Sequence, residues 1–199
     1  MSDLQCPARI LLIRHAEATY EAPVTTGSGG TLSARGRQQA REAASHLQQE
    51  RVVHVYSSML ARAVQTSELV AQRLGVEVTA REGLEEFDPG VHLGSPHDSG
   101  WAGATMQAWA AGDLDARWEG GESAREIATR VTVVLEEVAD LHRGETVVVV
   151  AHGGAILATL ASLGRPDLAT DLSPCAGVIL ERDGDGWRHT PGGPGPTSG

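Results

Sequence analysis

The sequence predicts an α/β fold: a single-domain, three-layer α/β/α sandwich on a mostly parallel sheet with an antiparallel edge strand. Three observations carry that prediction. Short apolar runs alternate with stretches of helical periodicity, the pattern of strands joined by crossover helices. Two of the runs, Ile10 to Ile13 and Val147 to Val150, are apolar at every position, as strands buried on both faces are. Each of these two runs leads into a histidine, in Arg14-His15 and in Ala151-His152-Gly153-Gly154. In an open parallel sheet the carboxyl ends of the strands are where ligands bind, so the two histidines are expected at one site.

The elements follow in order. The first strand runs from Arg9 to Arg14, and a loop rich in Gly, Ser and Thr continues through Thr31. Ser33 is placed to cap a helix to about Glu50, with Ala40, Ala43, Ala44 and Leu47 on one face. Val52 to Tyr56 is a short buried strand. A second helix spans Met59 to Leu74, its apolar positions spaced by three and four, and Gly75 stops it. Val76 to Thr79 is the third strand. From Glu82 to Gly121 the alternation breaks. This stretch holds Pro89, Gly90, Gly94, Pro96 and three of the four tryptophans, with one short helix at Ala104 to Ala111. An insertion of that length in a compact domain is usually functional, and it reads as a lid. Ser123-Ala124-Arg125-Glu126 is a capping box that opens a long amphipathic helix through Ile127, Val131, Val134, Leu135, Val138 and Leu141. Strand Thr146 to Val150 and helix Gly154 to Leu163 follow. Ala176 to Arg182 and Trp187 to His189 form a terminal hairpin turned at Gly184-Asp185-Gly186. The domain is expected to occupy residues 1–190, and the Pro/Gly/Ser/Thr stretch 191–199 to be a flexible tail.

Composition narrows the partners. The 199 residues carry 16 basic and 26 acidic side chains, a formal charge of −10. That balance argues against nucleic acid or an anionic membrane as the main partner, yet a local arginine cluster can still hold a small phosphorylated substrate. Cys6 and Cys175 lie far apart without metal-ligand spacing. With no visible signal peptide and no apolar run of membrane length, a reducing cytoplasmic setting is expected. Oligomeric state is not legible.

The chemistry rests on a few side chains. Phosphoryl transfer needs positioning and neutralised oxygens, and the planar guanidinium of arginine suits that task. A covalent route also needs a nucleophile that is unprotonated near neutral pH, and histidine in the right tautomer qualifies. His15 is the candidate nucleophile, with Arg14 gripping the phosphoryl oxygens. Taken alone, either histidine reads more readily as a strand-end side chain satisfied by a carbonyl. Gly153-Gly154 lets a backbone approach a ligand closely, and the free N–H groups of the helix starting there favour an anion beside His152. Arg62 falls in the first turns of a helix, where a cation opposes the dipole unless an anion compensates. His92, His97 and Asp98 lack a metal-site signature; no metal and no cofactor are expected. His46 and His54 read as surface histidines, and Trp101, Trp109 and Trp118 as local packing of the lid.

Arg14-His15-Ala16-Glu17, Thr31-Leu32-Ser33 with Gly36 and Gln39-Ala40, Ser57-Ser58 with Arg62 and Gln65-Thr66, Leu84 to Gly90, Gly121-Glu122-Ser123 and Ala151-His152-Gly153 occur in that order. Together they resemble the histidine phosphatase superfamily in its phosphoglycerate-mutase-like branch, over roughly residues 9–182. The resemblance implies a phosphohistidine intermediate on His15, a phosphate pocket of Arg14, Arg62, His152 and Gly153, and Glu86 as general acid and base in a Leu-x-Glu-x-x-x-Gly pattern. Glu85 and Asp88 are neighbouring carboxylates able to share that role. The chain departs from the family's usual residues at Ala16, Ala18 and Glu21, positions that normally add donors to the phosphate, and at His92, where Trp is common. The reading is a metal-independent phosphatase of small-molecule phosphomonoesters. A phosphoglycerate-mutase-type phosphotransferase, a protein phosphohistidine phosphatase and a catalytically degraded binding module are the alternatives.

Overall fold

The computed structural model describes residues 6–27, 29–96, 99–169, 171–183 and 186–191. The strands are β1 (Ala8–Arg14), β2 (Ala18–Thr19), β3 (Thr31–Leu32), β4 (Val52–Ser57), β5 (Glu77–Ala80), β6 (Thr146–Ala151), β7 (Gly177–Asp183) and β8 (Gly186–Pro191). The helices are α1 (Ala34–Leu47), α2 (Ala61–Leu74), α3 (Gly103–Ala110), α4 (Ala124–Leu141) and α5 (Gly153–Ser162). Six strands form one sheet in the order β5-β4-β6-β1-β7-β8, and β2 and β3 form a separate ribbon. β5, β4, β6 and β1 run parallel, and the hairpin β7–β8 supplies the antiparallel edge.

Strand pleating divides the core in two. Leu11, Ile13, Val148 and Val150 face α1 and α2 with Leu47, Val55, Ala63 and Val70. Ile10, Leu12, Val147 and Val149 point the other way, into a larger cluster with α4 and α5. The two all-apolar runs are therefore the two central strands, each buried on both faces, as the sequence requires. Ser33 caps α1 by accepting from Gly36 N–H, and the Ser123–Glu126 capping box opens α4 as predicted.

Register places the chemistry. Ile13 pairs with Val150 and Arg14 with Ala151 across β1 and β6, while Ser57 pairs with Val150 across β4 and β6. Three strands thus end level, and Arg14-His15, Ser57-Ser58 and His152 emerge side by side at the carboxyl edge. The predicted second helix begins at Ala61 rather than Met59, because Ser58 Oγ accepts from Leu60 N–H and holds the chain extended there. The insertion is ordered around α3 and an aromatic cluster of Phe87, Trp101, Trp109 and Trp118. Trp109 is fully buried and donates Nε1–H to the Ala116 carbonyl at 2.8 Å.

Some expectations need adjustment or cannot be followed. His54 is half-buried: its Nε2 lies 2.9 Å from Thr79 Oγ1 and its ring packs on Tyr56 and His142. His97, Asp98, Gly184, Asp185 and the expected tail from residue 192 lie outside the described residues. No described helix is long and apolar enough to cross a membrane.

Candidate active site

His15 leaves β1 at 5% exposure. Its Nδ1–H donates to the Ala16 carbonyl at 2.7 Å; a carbonyl only accepts, so the proton sits on Nδ1 and Nε2 carries the lone pair. Arg62 Nε donates to that lone pair at 3.2 Å. Burial, opposed by the Ala16 hydrogen bond and reinforced by the charges of Arg62 and Arg14, pushes the imidazole pKa down to about 3. His15 is thus a neutral imidazole whose lone pair lies on Nε2.

Two guanidinium groups flank it. Arg14 donates Nη1–H to the Leu172 carbonyl at 2.7 Å, and its Nε is buried without a protein partner. Arg62, at 4% exposure on the first turn of α2, donates to the Gly29 carbonyl at 2.6 Å and stands over the Tyr20 ring at 5.8 Å. Thr25 Oγ1 is likewise buried without a protein partner. A buried donor left unpaired is costly, and an anion in front of these groups would remove the penalty. The cavity there has a volume of about 290 Å³, and Arg14, His15, Arg62, Glu86, Thr25 and Trp101 are among its walls.

His152 is fully buried behind His15, ring centroids 5.0 Å apart, with Nε2 2.6 Å from Ser58 Oγ and Nδ1 unpartnered. Burial, then Arg62 and His15, hold its pKa well below the ordinary value. His152 and Gly153 back the site rather than line the cavity; a Cβ on Gly153 would lie 3.6 Å from Arg14 Nε. Both histidines refuse protons that the unfolded chain binds below pH 6.5. Stability is therefore full above that value and lost as pH falls towards the folded pKa. For His15 alone, the 1.5 units from pH 6.5 to 5 correspond to about 2 kcal/mol. Thermal unfolding at pH 7 and pH 5 is expected to show a fall in Tm that is smaller in His15→Gln.

Glu86 corrects one expectation. The N-terminus of α5 is not open to a ligand, because Glu86 fills it: Oε1 accepts from Ala155 N–H at 2.9 Å and Oε2 from Gly154 N–H at 3.2 Å. The neighbouring carboxylates are committed elsewhere. Glu85 accepts from Gly83 and Met59 N–H, and Asp88 from Gly90 N–H within its own turn. Arg130 fixes the loop, donating to the Gly83, Glu85 and Glu86 carbonyls while its guanidinium pairs with Glu122 at 2.9 Å. Gly90 turns with φ +55° against residues 119–121, where a Cβ would meet the Glu119 carbonyl at 2.2 Å. A Cβ on Gly154 would lie 2.6 Å from Glu86 Oε1 and 2.3 Å from the Phe87 ring. Gly154→Ala is therefore expected to displace the carboxyl and lower kcat about 10²-fold, measured on an alkyl phosphate with circular dichroism confirming the fold.

The other motif residues are scaffold. Gln39 and Gln65 accept from the backbone N–H of Glu17 and Leu32, Ser33 donates to Glu17, and Thr66 accepts from Ala16 N–H. Ala16 is fully buried, and Ala18 pairs with Leu32 in the β2–β3 ribbon. Glu21 is exposed and is not among the described residues lining the cavity. Sequence reading missed Arg130, Thr25 and Ser58 as site-building residues. Arg130 carried a signal: it sits between Ile127, Val131 and Val134 on the apolar face of α4, where a cation needs partners.

The pattern of the histidine phosphatase superfamily (branch 1) matches residues 10–190. A probable phosphoglycerate mutase, GpmB, of Escherichia coli O139:H28 is 28% identical over 203 residues, covering 89% of this chain and 93% of that protein. Among solved structures, a mycobacterial glucosyl-3-phosphoglycerate phosphatase in complex with VO3 is similar with a TM-score of 0.71 and 29% identity, over 91% of this chain and 96% of that one. YhfR of Bacillus stearothermophilus is similar with a TM-score of 0.75 and 25% identity, over 94% and 96%.

Proposed function

Because the chain belongs to the histidine phosphatase superfamily (branch 1), we propose that it is a metal-independent phosphatase hydrolysing phosphomonoesters of small molecules. The observation that carries this reading is the neutral His15, its tautomer fixed by the Ala16 carbonyl, beside the buried Arg62 and the half-buried Arg14 at a cavity. The dianionic phosphoryl group sits against Arg14 and Arg62, and Arg62 Nε–H moves from the imidazole to a phosphoryl oxygen. His15 Nε2 attacks phosphorus as the P–O bond to the alcohol breaks, and Glu86 gives its proton to the leaving oxygen. The Glu86 carboxylate then takes a proton from water. The resulting hydroxide attacks phosphorus, the P–N bond breaks, and inorganic phosphate leaves. His152, behind His15 and bonded to Ser58, packs against the His15 ring and holds it in place for attack.

The relatives' names include a mutase as well as a phosphatase. One observation supports hydrolysis: among the described residues that line the cavity, the arginines are Arg14 and Arg62 alone, whereas a phosphoglycerate mutase must hold a second anionic group. The test is phosphate release from a panel of phosphomonoesters in excess chelator. Chelator-resistant release is expected in the wild type; isomerisation of a phosphoglycerate without release would make the protein a mutase.

A further inference from the structure

The geometry points to a neutral, apolar or aromatic alcohol as the leaving group, and to discrimination against esters that carry a carboxylate beyond the phosphate. This rests on the reading of the cavity as the ester site. Beyond the phosphoryl position, the described side-chain walls are Tyr20, Phe87, Pro89, Trp101 and Ala102, with Thr26 polar and the backbone of Gly27, Gly100 and Gly103 completing the lining. The cations among the described lining residues, Arg14 and Arg62, are committed to the phosphoryl group, and the remaining ionisable side chain apart from His15 and Tyr20 is the Glu86 carboxyl. A substrate carboxylate would leave water for an aromatic wall without an uncommitted cation among the described lining residues to receive it, which opposes binding.

The aromatic wall is rigid. Trp101 stacks on His92 with centroids 4.7 Å apart and planes 13° from parallel. It stands edge-on to Trp118 at 5.0 Å and to Phe87 at 6.1 Å. The Trp101 carbonyl also accepts from Trp118 Nε1–H. A platform held on three sides costs little further ordering when a flat ligand packs on it. The loop bearing Thr25 is tied to the lid by Thr25 N–H to the Ser95 carbonyl at 2.7 Å and Gly94 N–H to the Thr25 carbonyl at 2.8 Å, so the roof is built into the fold. At about 290 Å³, the space is at the lower end of ligand pockets, roughly 300–1,000 Å³. That admits a phosphoryl group with one ring or a short chain.

Calorimetric binding of two non-hydrolysable phosphonates tests this without relying on turnover. Benzylphosphonate is expected to bind on the order of 10-fold or more tightly than 3-phosphonopropionate, the carboxylated analogue. Trp101→Ala should abolish that preference, Trp101→Phe should retain most of it, and inorganic phosphate should bind all three proteins alike. Equal or tighter binding of 3-phosphonopropionate to the wild type would overturn the inference, as would an undiminished preference in a folded Trp101→Ala. The phosphonate preference without hydrolysis of benzyl phosphate would uphold the pocket's selectivity and fault the catalytic reading instead.

Discussion

His15→Ala is expected to lose phosphate release by on the order of 10⁴-fold or more, the scale seen when a covalent nucleophile is removed. The size of the effect follows from the geometry. The imidazole is neutral at pH 7 because burial and two arginines hold its pKa at about 3. Its tautomer is fixed by the Ala16 carbonyl, so the attacking nitrogen needs no proton transfer before the first step. Alanine leaves Arg14 and Arg62 in place, so inorganic phosphate should still bind. Steady-state phosphate release together with phosphate binding separates loss of the nucleophile from loss of the pocket. Binding retained with turnover abolished is the expected pair; residual turnover near the wild-type rate would remove His15 from the mechanism.

Glu86→Gln carries the second large effect, about 10²- to 10⁴-fold on unactivated alkyl phosphates, the range for a general acid and base. The loss should depend on the leaving group. An alkoxide needs the Glu86 proton, whereas 4-nitrophenolate leaves without help, so the first step on 4-nitrophenyl phosphate should be nearly normal. The second step still needs a base for water on either ester. The variant is therefore expected to give a rapid burst of 4-nitrophenol followed by slow turnover, read by stopped-flow absorbance. Equal loss on alkyl and aryl esters with no burst would place the role of Glu86 elsewhere, for instance in holding the start of α5, where its carboxylate meets Gly154 and Ala155.

The parts of this site legible in the sequence are those made by strands. Ile10 to Ile13 and Val147 to Val150 declare themselves as buried on both faces, and parallel pairing in register delivers both histidines to one edge. The capping box at Ser123 and the short helix in the insertion are local signals, and they set α4 and α3 within a residue of their observed starts. The part that was not legible is long-range. Gly153-Gly154 at a helix start reads as a place for a ligand anion, yet the group found there is the Glu86 carboxyl, 68 residues earlier in the chain. Choosing Glu86 over Glu85 depends on which N–H groups each carboxylate reaches, and Arg130 fixes that choice by gripping three carbonyls of the loop. Nor does composition reveal that Trp109 is buried in the core while Trp101 lines the cavity.

The proposed hydrolysis passes through a covalent phosphohistidine on His15. Its most direct measurement is alkaline quenching of Glu86→Gln during turnover of 4-nitrophenyl phosphate, which preserves phosphohistidine, followed by intact mass and peptide fragmentation. One added phosphoryl group is expected, located on His15, lost on acid treatment, and absent from the His15→Ala/Glu86→Gln double variant. Wild-type turnover in chelator with no phosphoryl adduct on the quenched variant, or an adduct that persists when His15 is replaced, would contradict it.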